Sequence, residues 1–469
     1  MPEFSPDKMA AWTEGRWTRP PALPPVGFSI DTRRLEAGQA FVALRTELRD
    51  GHSYLEAAQE AGASAAIVES PNWTINLPQL IVGNTLAAFQ AIAREHRREF
   101  RGPVVGISGS AGKTSTKNLL AILLGGSPDH AGPEESPVLA TRGNLNNHMG
   151  VPLTLTRLEP AFHLYAVVEA GISGPGEMAP LAAMIAPDIA IITLVAPAHL
   201  EALGGMEGVA REKAQLPAAL RAGGTAIFPA ACAEFEPFRE LSARALIVEP
   251  SGRDKPAASA PGRVGFGVVH QGGETTITLA GATHAGAFTL RRVSDGMAQN
   301  AAMAICAAQV LGLRSEAIQL RLASWRPAPL RGELRRSGGR LLYLDCYNAN
   351  PASMADALAA FWAVTPQALP RLFVIGGMEE LGLEAKRYHQ ELGRRLHLRS
   401  NDFLFVIGPH ADAVRGGALE NGNRPEQIAV VDSLEPIAAR LATFAGSVFI
   451  KGSRKYALES LAGEEVAHA

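Results

Sequence analysis

The sequence predicts an α/β fold in three domains: a unit over residues 1–101, a central P-loop unit with a parallel sheet over 102–325, and a Rossmann-like unit over 326–469. Three observations predict it. At 469 residues the chain is long enough for about three domains. Strand-like apolar runs alternate with helical patterns along most of its length, which implies parallel sheets covered by helices. The alternation restarts after the Pro- and Arg-rich stretch Trp325-Arg326-Pro327-Ala328-Pro329-Leu330-Arg331-Gly332-Glu333, a natural linker.

In the first unit, strands are expected at 41–44, 65–68 and 80–82, and helices at 54–61 and 85–99. The second helix ends in His96-Arg97-Arg98, cations that suit a helix C-terminus, and Gly102-Pro103 breaks the chain after it. Central strands are expected at 104–107, 164–169, 189–194 and 225–228. Residues 250–263 read as a flexible loop, 264–293 as a small antiparallel addition, and 297–311 as an Ala-rich helix. C-terminal strands are expected at 341–345, 371–375, 403–407 and 447–450, again separated by helices.

The most informative stretch is 104–118, VVGISGSAGKTSTKN. An apolar strand runs into Gly109, Ser110, Ala111, Gly112, Lys113, Thr114 and Ser115, and then into a helical pattern. Strand, glycine loop, Lys-Thr and helix form the shape that wraps a nucleotide phosphate. Glycines let backbone N–H groups approach phosphate oxygens. Lys113 supplies a point charge near the β/γ-phosphates, and the Thr114 hydroxyl is a Mg²⁺ ligand. The spacing G-x-x-G-K-T is a variant, because the usual G-x-x-x-x-G-K-[ST] needs glycine at Ile107.

Composition removes several classes. Hydrophobic residues make up 47% of the chain, enough for several cores. No apolar run approaches the ~18 residues of a membrane span, and the N-terminus has no basic segment followed by an apolar one, so no signal peptide is expected. Three dispersed cysteines, Cys232, Cys306 and Cys346, suggest neither disulfides nor structural zinc, which fits a reducing cytoplasm. Forty-four basic against 46 acidic residues, with no basic block, argue against nucleic acid as partner.

Other residues sit where ligands of open α/β sheets bind, at strand carboxyl ends. Glu169 ends the strand LYAVVE and is placed to share a Mg²⁺ with Thr114; the plainer reading is a surface acid. His199 follows another strand, in TLVAPAHLE, and on frequency alone would be a hydrogen-bonded structural histidine. Lys213, fourteen residues later in a helical pattern, reads by context as a solvated lysine. Asp345 follows LLYLD and begins Asp345-Cys346-Tyr347-Asn348-Ala349-Asn350-Pro351, where an Asx turn capping the next helix is the alternative to a ligand site. Lys451-Gly452-Ser453-Arg454, after SVFI, suits an anion or is a plain surface turn.

Taken together, these residues resemble the Mur ligases, the ATP-dependent amide ligases of peptidoglycan precursor synthesis, from Asp31 to about Leu461. The G-x-x-G-K-T loop is that family's form of the P-loop. Gly143-Asn144-Leu145-Asn146-Asn147-His148-Met149-Gly150-Val151-Pro152 is similar to its N-x-N-N-x-x-G-x-P segment, and Glu169-Ala170-Gly171 to its E-x-G strand end. Ala198-His199-Leu200-Glu201 and Lys213 fit its H-L-E and carbamylated-lysine positions. Asp31-Thr32-Arg33, Phe41 to Leu44 and Asp50-Gly51-His52 resemble its UDP-sugar-binding domain. Tyr347 to Pro351 and Lys451 to Arg454 are similar to motifs of the branch that adds D-alanyl-D-alanine, whereas the D-N-P-R motif of the diaminopimelate- or lysine-adding branch is absent.

The resemblance implies a UDP-substrate-binding first domain, an ATPase centre and a Rossmann-like third domain. It implies a ligase that phosphorylates the terminal carboxylate of UDP-MurNAc-tripeptide with ATP and passes the acyl group to the amine of D-Ala-D-Ala, releasing ADP and phosphate. Residues 109–115, with Asn300 on adenine, Asp345 on ribose and Arg331, are implied to hold ATP. Thr114, Glu169 and His199 are implied to hold Mg²⁺. Lys113, His199 and a carbamylated Lys213 are implied to be catalytic. Thr32, Arg33, Asn146, Asn147, Tyr347, Asn348, Asn350, Lys451 and Ser453 are implied to bind substrate. A cytoplasmic monomer is expected. Three positions depart from the family pattern. Gly377 stands where G-D-M-x-E-L-G has aspartate, Glu333 follows Gly332 where arginine is usual, and Gln299 stands where histidine is common. Two other readings are a third-amino-acid-adding or folylpolyglutamate-synthase-like ligase, and a P-loop protein that regulates rather than ligates. The Tyr347–Pro351 motif with the UDP-type segment argues against the first, and the His199 and Lys213 pair against the second.

Overall fold

The computed structural model describes residues 2–127, 136–241, 245–251, 261–337 and 339–463. Its strands form three sheets of five, nine and six. In the first sheet Phe28–Ser29, Ala40–Val42, Ala65–Val68 and Gln79–Ile81 run parallel, and only Arg16–Trp17 is antiparallel, on the edge beside Gln79–Ile81. The helix Thr85–Glu99 covers one face. Asn84 starts it by accepting a bond from the Ala87 amide at 2.8 Å. Near its end, buried Arg97 donates to the carbonyls of Ile185 and Ala186, both at 2.9 Å, and so ties the first unit to the second.

The nine-stranded sheet is parallel from Val138–Ala140 to Arg263–Gln271, and Glu274–Ala280 and Gly286–Arg291 extend it antiparallel. Val104–Ser108 lies between Tyr165–Glu169 and Ile189–Ile192. Strand order reverses there, so the loop after Ser108 opens into the crevice where such sheets hold ligands. Helix Asp295–Val310, with ten buried residues, packs between this sheet and helix Lys113–Leu123. The six-stranded sheet pairs Glu333–Ser337 antiparallel with Arg340–Leu344 and is otherwise parallel. Its own crossover lies at Ser447–Lys451, between Arg340–Leu344 and Arg371–Gly376.

The expected elements are present with shifts of a few residues. The helix expected at 54–61 opens with a 3₁₀ turn, Gly51–Tyr54, and becomes α at Leu55–Glu60. The helix expected at 297–311 is Asp295–Val310, because Ser294 caps it by accepting from the Met297 amide at 3.1 Å. The antiparallel addition at 264–293 is the hairpin pair that ends the central sheet. Of the loop expected at 250–263, residues 252–260 lie outside the described residues. Helix Pro6–Thr13 and the strands Val138–Ala140, Ala245–Pro250 and Ile428–Val431 were not anticipated.

Candidate active site

The glycine loop is held open by its neighbours. Gly109 has φ +144°, and a Cβ there would meet Thr193 Oγ1 at 1.9 Å. Gly112 has φ +80°, and a Cβ there would meet Asn300 Nδ2 at 2.2 Å. Asn300, from helix Asp295–Val310, is thus packed directly on the loop. Ser110 donates its amide to the Leu194 carbonyl at 2.8 Å and its hydroxyl to the Ala196 carbonyl at 2.8 Å. Thr193 donates to the Ala111 carbonyl at 2.5 Å. These bonds pin the loop to the chain that follows Ile189–Ile192, so its shape is set in advance. Gly112 is the N-cap of helix Lys113–Leu123, whose first amides are free to face an anion. Lys113 folds back onto the Gly109 carbonyl at 2.8 Å. Burial holds its ammonium below the ordinary lysine value, the Arg331 charge adds to that, and Glu169 opposes it.

Glu169 is 1% exposed. Its Oε2 accepts from Thr114 Oγ1 at 2.9 Å and its Oε1 from Asn146 Nδ2 at 2.7 Å. Its amide donates to Thr141 Oγ1 at 2.9 Å. A threonine hydroxyl and a carboxylate beside a phosphate loop are hard oxygen donors, the set that Mg²⁺ takes together with phosphate and water. The Thr114 and Glu169 oxygens already meet, so the residues fit that ion. Among the described residues no cluster of three His, Cys, Asp or Glu forms an all-protein metal cage. Asn147 Oδ1 accepts from the amides of Met149 and Gly150, which fixes the asparagine loop ahead of helix Gly150–Leu155.

His199 lines the same cavity in left-handed backbone, φ 53°. Its Nδ1 makes a close charge contact with Glu380 of the C-terminal unit, without hydrogen-bond alignment. That contact with His199 holds the Glu380 carboxyl below the usual range. Lys213, on helix Met206–Ala218, is 2% exposed and does not line the cavity. It is therefore not the solvated lysine its context suggested. Burial holds its amine well below the ordinary lysine value, and the Lys113 charge pushes the same way. Burial also pushes the neighbouring Cys232 thiol up to about 12.

From the C-terminal sheet, Lys451 donates to Asp345 Oδ2 at 2.7 Å and to the Asn348 carbonyl at 3.1 Å. Burial raises the Asp345 carboxyl above the usual range, and Lys451 opposes the rise. Asn350 caps helix Pro351–Val364 by accepting from the Ser353 amide at 2.8 Å, and its Nδ2 donates to the Ser110 carbonyl at 3.0 Å. The Asx cap and a link to the phosphate loop are both present. The guanidinium of Arg331 lies 3.9 Å from the Tyr347 ring centroid. Glu333 is turned away: it accepts from the Leu330 amide at 3.1 Å and pairs with Arg335 at 2.8 Å. Arg331 therefore delivers the only linker guanidinium among the cavity-lining residues described, two positions ahead of the place where the family pattern has arginine.

One cavity of about 590 Å³ joins Ser110 to Ser115, Asn146, Asn147, Glu169, His199, Asn300, Arg331, Asp345, Tyr347, Asn348, Asn350 and Lys451. Gly109, Lys213, Ser453, Thr32 and Arg33 do not line it. Ser453 accepts from the Glu379 amide at 3.2 Å and braces the Gly376–Gly382 turn. Arg33 is paired with its neighbour Asp31 at 2.7 Å, in the first unit. Sequence reasoning missed Asp356, which lines the cavity, accepts from the Gly296 amide at 2.8 Å and is raised by burial. A carboxylate inside an Ala-rich helical pattern, MADALAA, was its only signal.

Residues 107–308 match the Mur ligase middle domain, and residues 330–454 match the Mur ligase, glutamate ligase domain. The chain is 31% identical over 439 residues to the UDP-N-acetylmuramoyl-tripeptide–D-alanyl-D-alanine ligase of Escherichia coli K12, covering 92% of each chain. Its fold is similar to the crystal structure of MurF from Acinetobacter baumannii, with a TM-score of 0.85, 27% identity and 98% of both chains covered. It is also similar to MurF from Thermotoga maritima in complex with ADP, with a TM-score of 0.76, 27% identity, and 93% of this chain and 96% of that one covered. With both family models matched and the likeness running along almost the whole chain, this protein belongs to the Mur ligase family.

Proposed function

We propose that this chain joins D-alanyl-D-alanine to UDP-N-acetylmuramoyl-tripeptide with ATP in peptidoglycan precursor synthesis. The observation that carries this reading is the single cavity that brings the phosphate loop of the central sheet against Tyr347, Asn348, Asp345 and Lys451 of the third sheet. The similarity over 92% of the chain to a UDP-N-acetylmuramoyl-tripeptide–D-alanyl-D-alanine ligase supplies the substrates.

A carboxylate is a poor acyl donor because its leaving group would be oxide. Its oxygen takes the γ-phosphoryl of ATP, giving an acyl phosphate and ADP. The amine of D-Ala-D-Ala then attacks the acyl carbon, the C–O bond to phosphate breaks, and an amide and phosphate leave. Phosphoryl transfer asks mainly for positioning and charge neutralisation. The loop amides from Ser110 to Ser115 and Lys113 hold the phosphates, with Lys113 leaving the Gly109 carbonyl for the γ-phosphoryl oxygens. Asn300 contacts the base, and Asp345 and Arg331 the ribose and phosphates. Thr114 and Glu169, with His199 nearby, would hold Mg²⁺, which neutralises phosphate charge when bound. Buried and held toward its neutral amine, Lys213 is suited to add CO₂ and lose a proton, becoming a carbamate anion. Asn146, Asn147, Tyr347, Asn348, Asn350, Lys451 and Ser453, with Thr32 and Arg33, form the substrate path.

We assign residues 1–101 to UDP-substrate binding, 102–325 to ATP and 326–469 to closure over both, in a monomer working in the cytoplasm. No helix among the described residues is long and apolar enough to cross a membrane. The test is phosphate release from ATP. It should require both UDP-MurNAc-tripeptide and D-Ala-D-Ala. Faster release with UDP-MurNAc-dipeptide plus a diamino acid would move the chain to another branch of the family.

A further inference from the structure

Lys117 lies one helical turn beyond Lys113 on helix Lys113–Leu123, yet it points to a different task. It is 2% exposed. Its ammonium donates to the Thr141 carbonyl at 2.6 Å and to the Gly143 carbonyl at 3.4 Å, and lies 4.0 Å from Glu169 Oε2. These three acceptors belong to the two segments that build the carboxylate site. Thr141 accepts the Glu169 amide through its hydroxyl, and Gly143 opens the loop whose Asn146 holds Glu169 Oε1. A carboxylate 1% exposed needs a nearby charge or a full set of donors to offset the hydration it has lost.

We infer that Lys117 is a positioning residue: its ammonium fixes the Thr141–Gly143 backbone and balances the Glu169 charge, so that Glu169, Thr114 and Asn146 present one oxygen-lined seat for a divalent cation. This rests on the reading of Thr114 and Glu169 as the cation's ligands. Lys113 and Lys117 then divide the work of one helix, the first toward phosphate and the second toward the carboxylate that receives the ion. Groups that orient a metal ligand typically change metal affinity about 10- to 100-fold when removed.

The test is nucleotide affinity of the full chain by calorimetry, with Mg²⁺ and with EDTA, for wild type, K117M, E169Q and the double variant. K117M should weaken ATP binding about tenfold in Mg²⁺ and less than about twofold in EDTA. Added to E169Q, it should cost little more, since it acts through that carboxylate. An equal loss in both media, equal losses in both backgrounds, or unchanged or tighter Mg²⁺-dependent binding in K117M would overturn the inference. Wild-type affinity that ignores Mg²⁺ would overturn the ligand reading itself, and the inference with it. If K117M does not fold, K117Q carries the same comparison, because it keeps donors and loses the charge.

Discussion

Three lysines of this site are buried and a fourth, Lys113, is half-buried, and each meets the cost of burial differently. Lys451 pairs with Asp345, Lys117 with two carbonyls and Glu169, and Lys113 with one loop carbonyl. Lys213 is held toward its neutral form. These differences set what each substitution should do. Lys113→Ala should lower kcat by about 100-fold or more, because developing charge on the γ-phosphoryl loses its cation, while nucleotide affinity falls less. Unchanged turnover in folded protein would remove Lys113 from the mechanism. Lys213→Ala should abolish turnover with the fold intact, and a small added carboxylic acid should restore part of it by returning two oxygens. Lys213→Arg should stay inactive, since guanidinium keeps its charge and forms no such carbamate. Near wild-type turnover in the arginine variant would show that a cation suffices there.

At the scale of elements, the phosphate loop was legible because its glycines, lysine and threonine are adjacent in sequence and lie between an apolar run and a helical one. The strand ends carrying Glu169 and Asp345 were legible for the same reason. Short edge strands such as Val138–Ala140 and Ile428–Val431 were not, since three or four residues give too little periodicity. Nor was the burial of Lys213, whose helix shows a lysine in ordinary polar company; only its burial, with the Lys113 charge acting on it, makes it unusual. Asp356 was hidden because its partner Gly296 lies 60 residues earlier in the chain, at the start of another unit's helix. The loop itself yields a sharp prediction. Gly112→Ala places a methyl 2.2 Å from Asn300 Nδ2 in left-handed backbone. Left-handed geometry costs a non-glycine residue about 1–2 kcal/mol, so ATP affinity should fall about tenfold or more before any contact is counted. Fluorescent-nucleotide titration checks it, and wild-type affinity would mean that the loop is not held as described.

For the whole molecule, one buried apolar cluster holds residues of both the central and the C-terminal units, and polar contacts join them around a wide cavity. Asn350 reaches Ser110, Asp356 reaches Gly296, and Glu380 meets His199. Partly exposed polar pairs contribute about 0–1 kcal/mol each, so these three add little to the hold between the units. A nucleotide and an acyl substrate in the shared cavity would add bonds to both walls at once and shift the balance toward the closed form. Closure also serves the chemistry, because an acyl phosphate left open to water hydrolyses before the amine arrives. The free protein in solution should therefore have a larger radius of gyration than the protein saturated with ATP and UDP-MurNAc-tripeptide. Asn350→Ala combined with Glu380→Ala should widen that difference and raise the fraction of acyl phosphate lost to water, read as phosphate released per amide formed. Small-angle scattering that shows no change on ligand addition, together with an unaltered phosphate-to-amide ratio in the double variant, would mean that the site is preformed and that these contacts do not govern its closure.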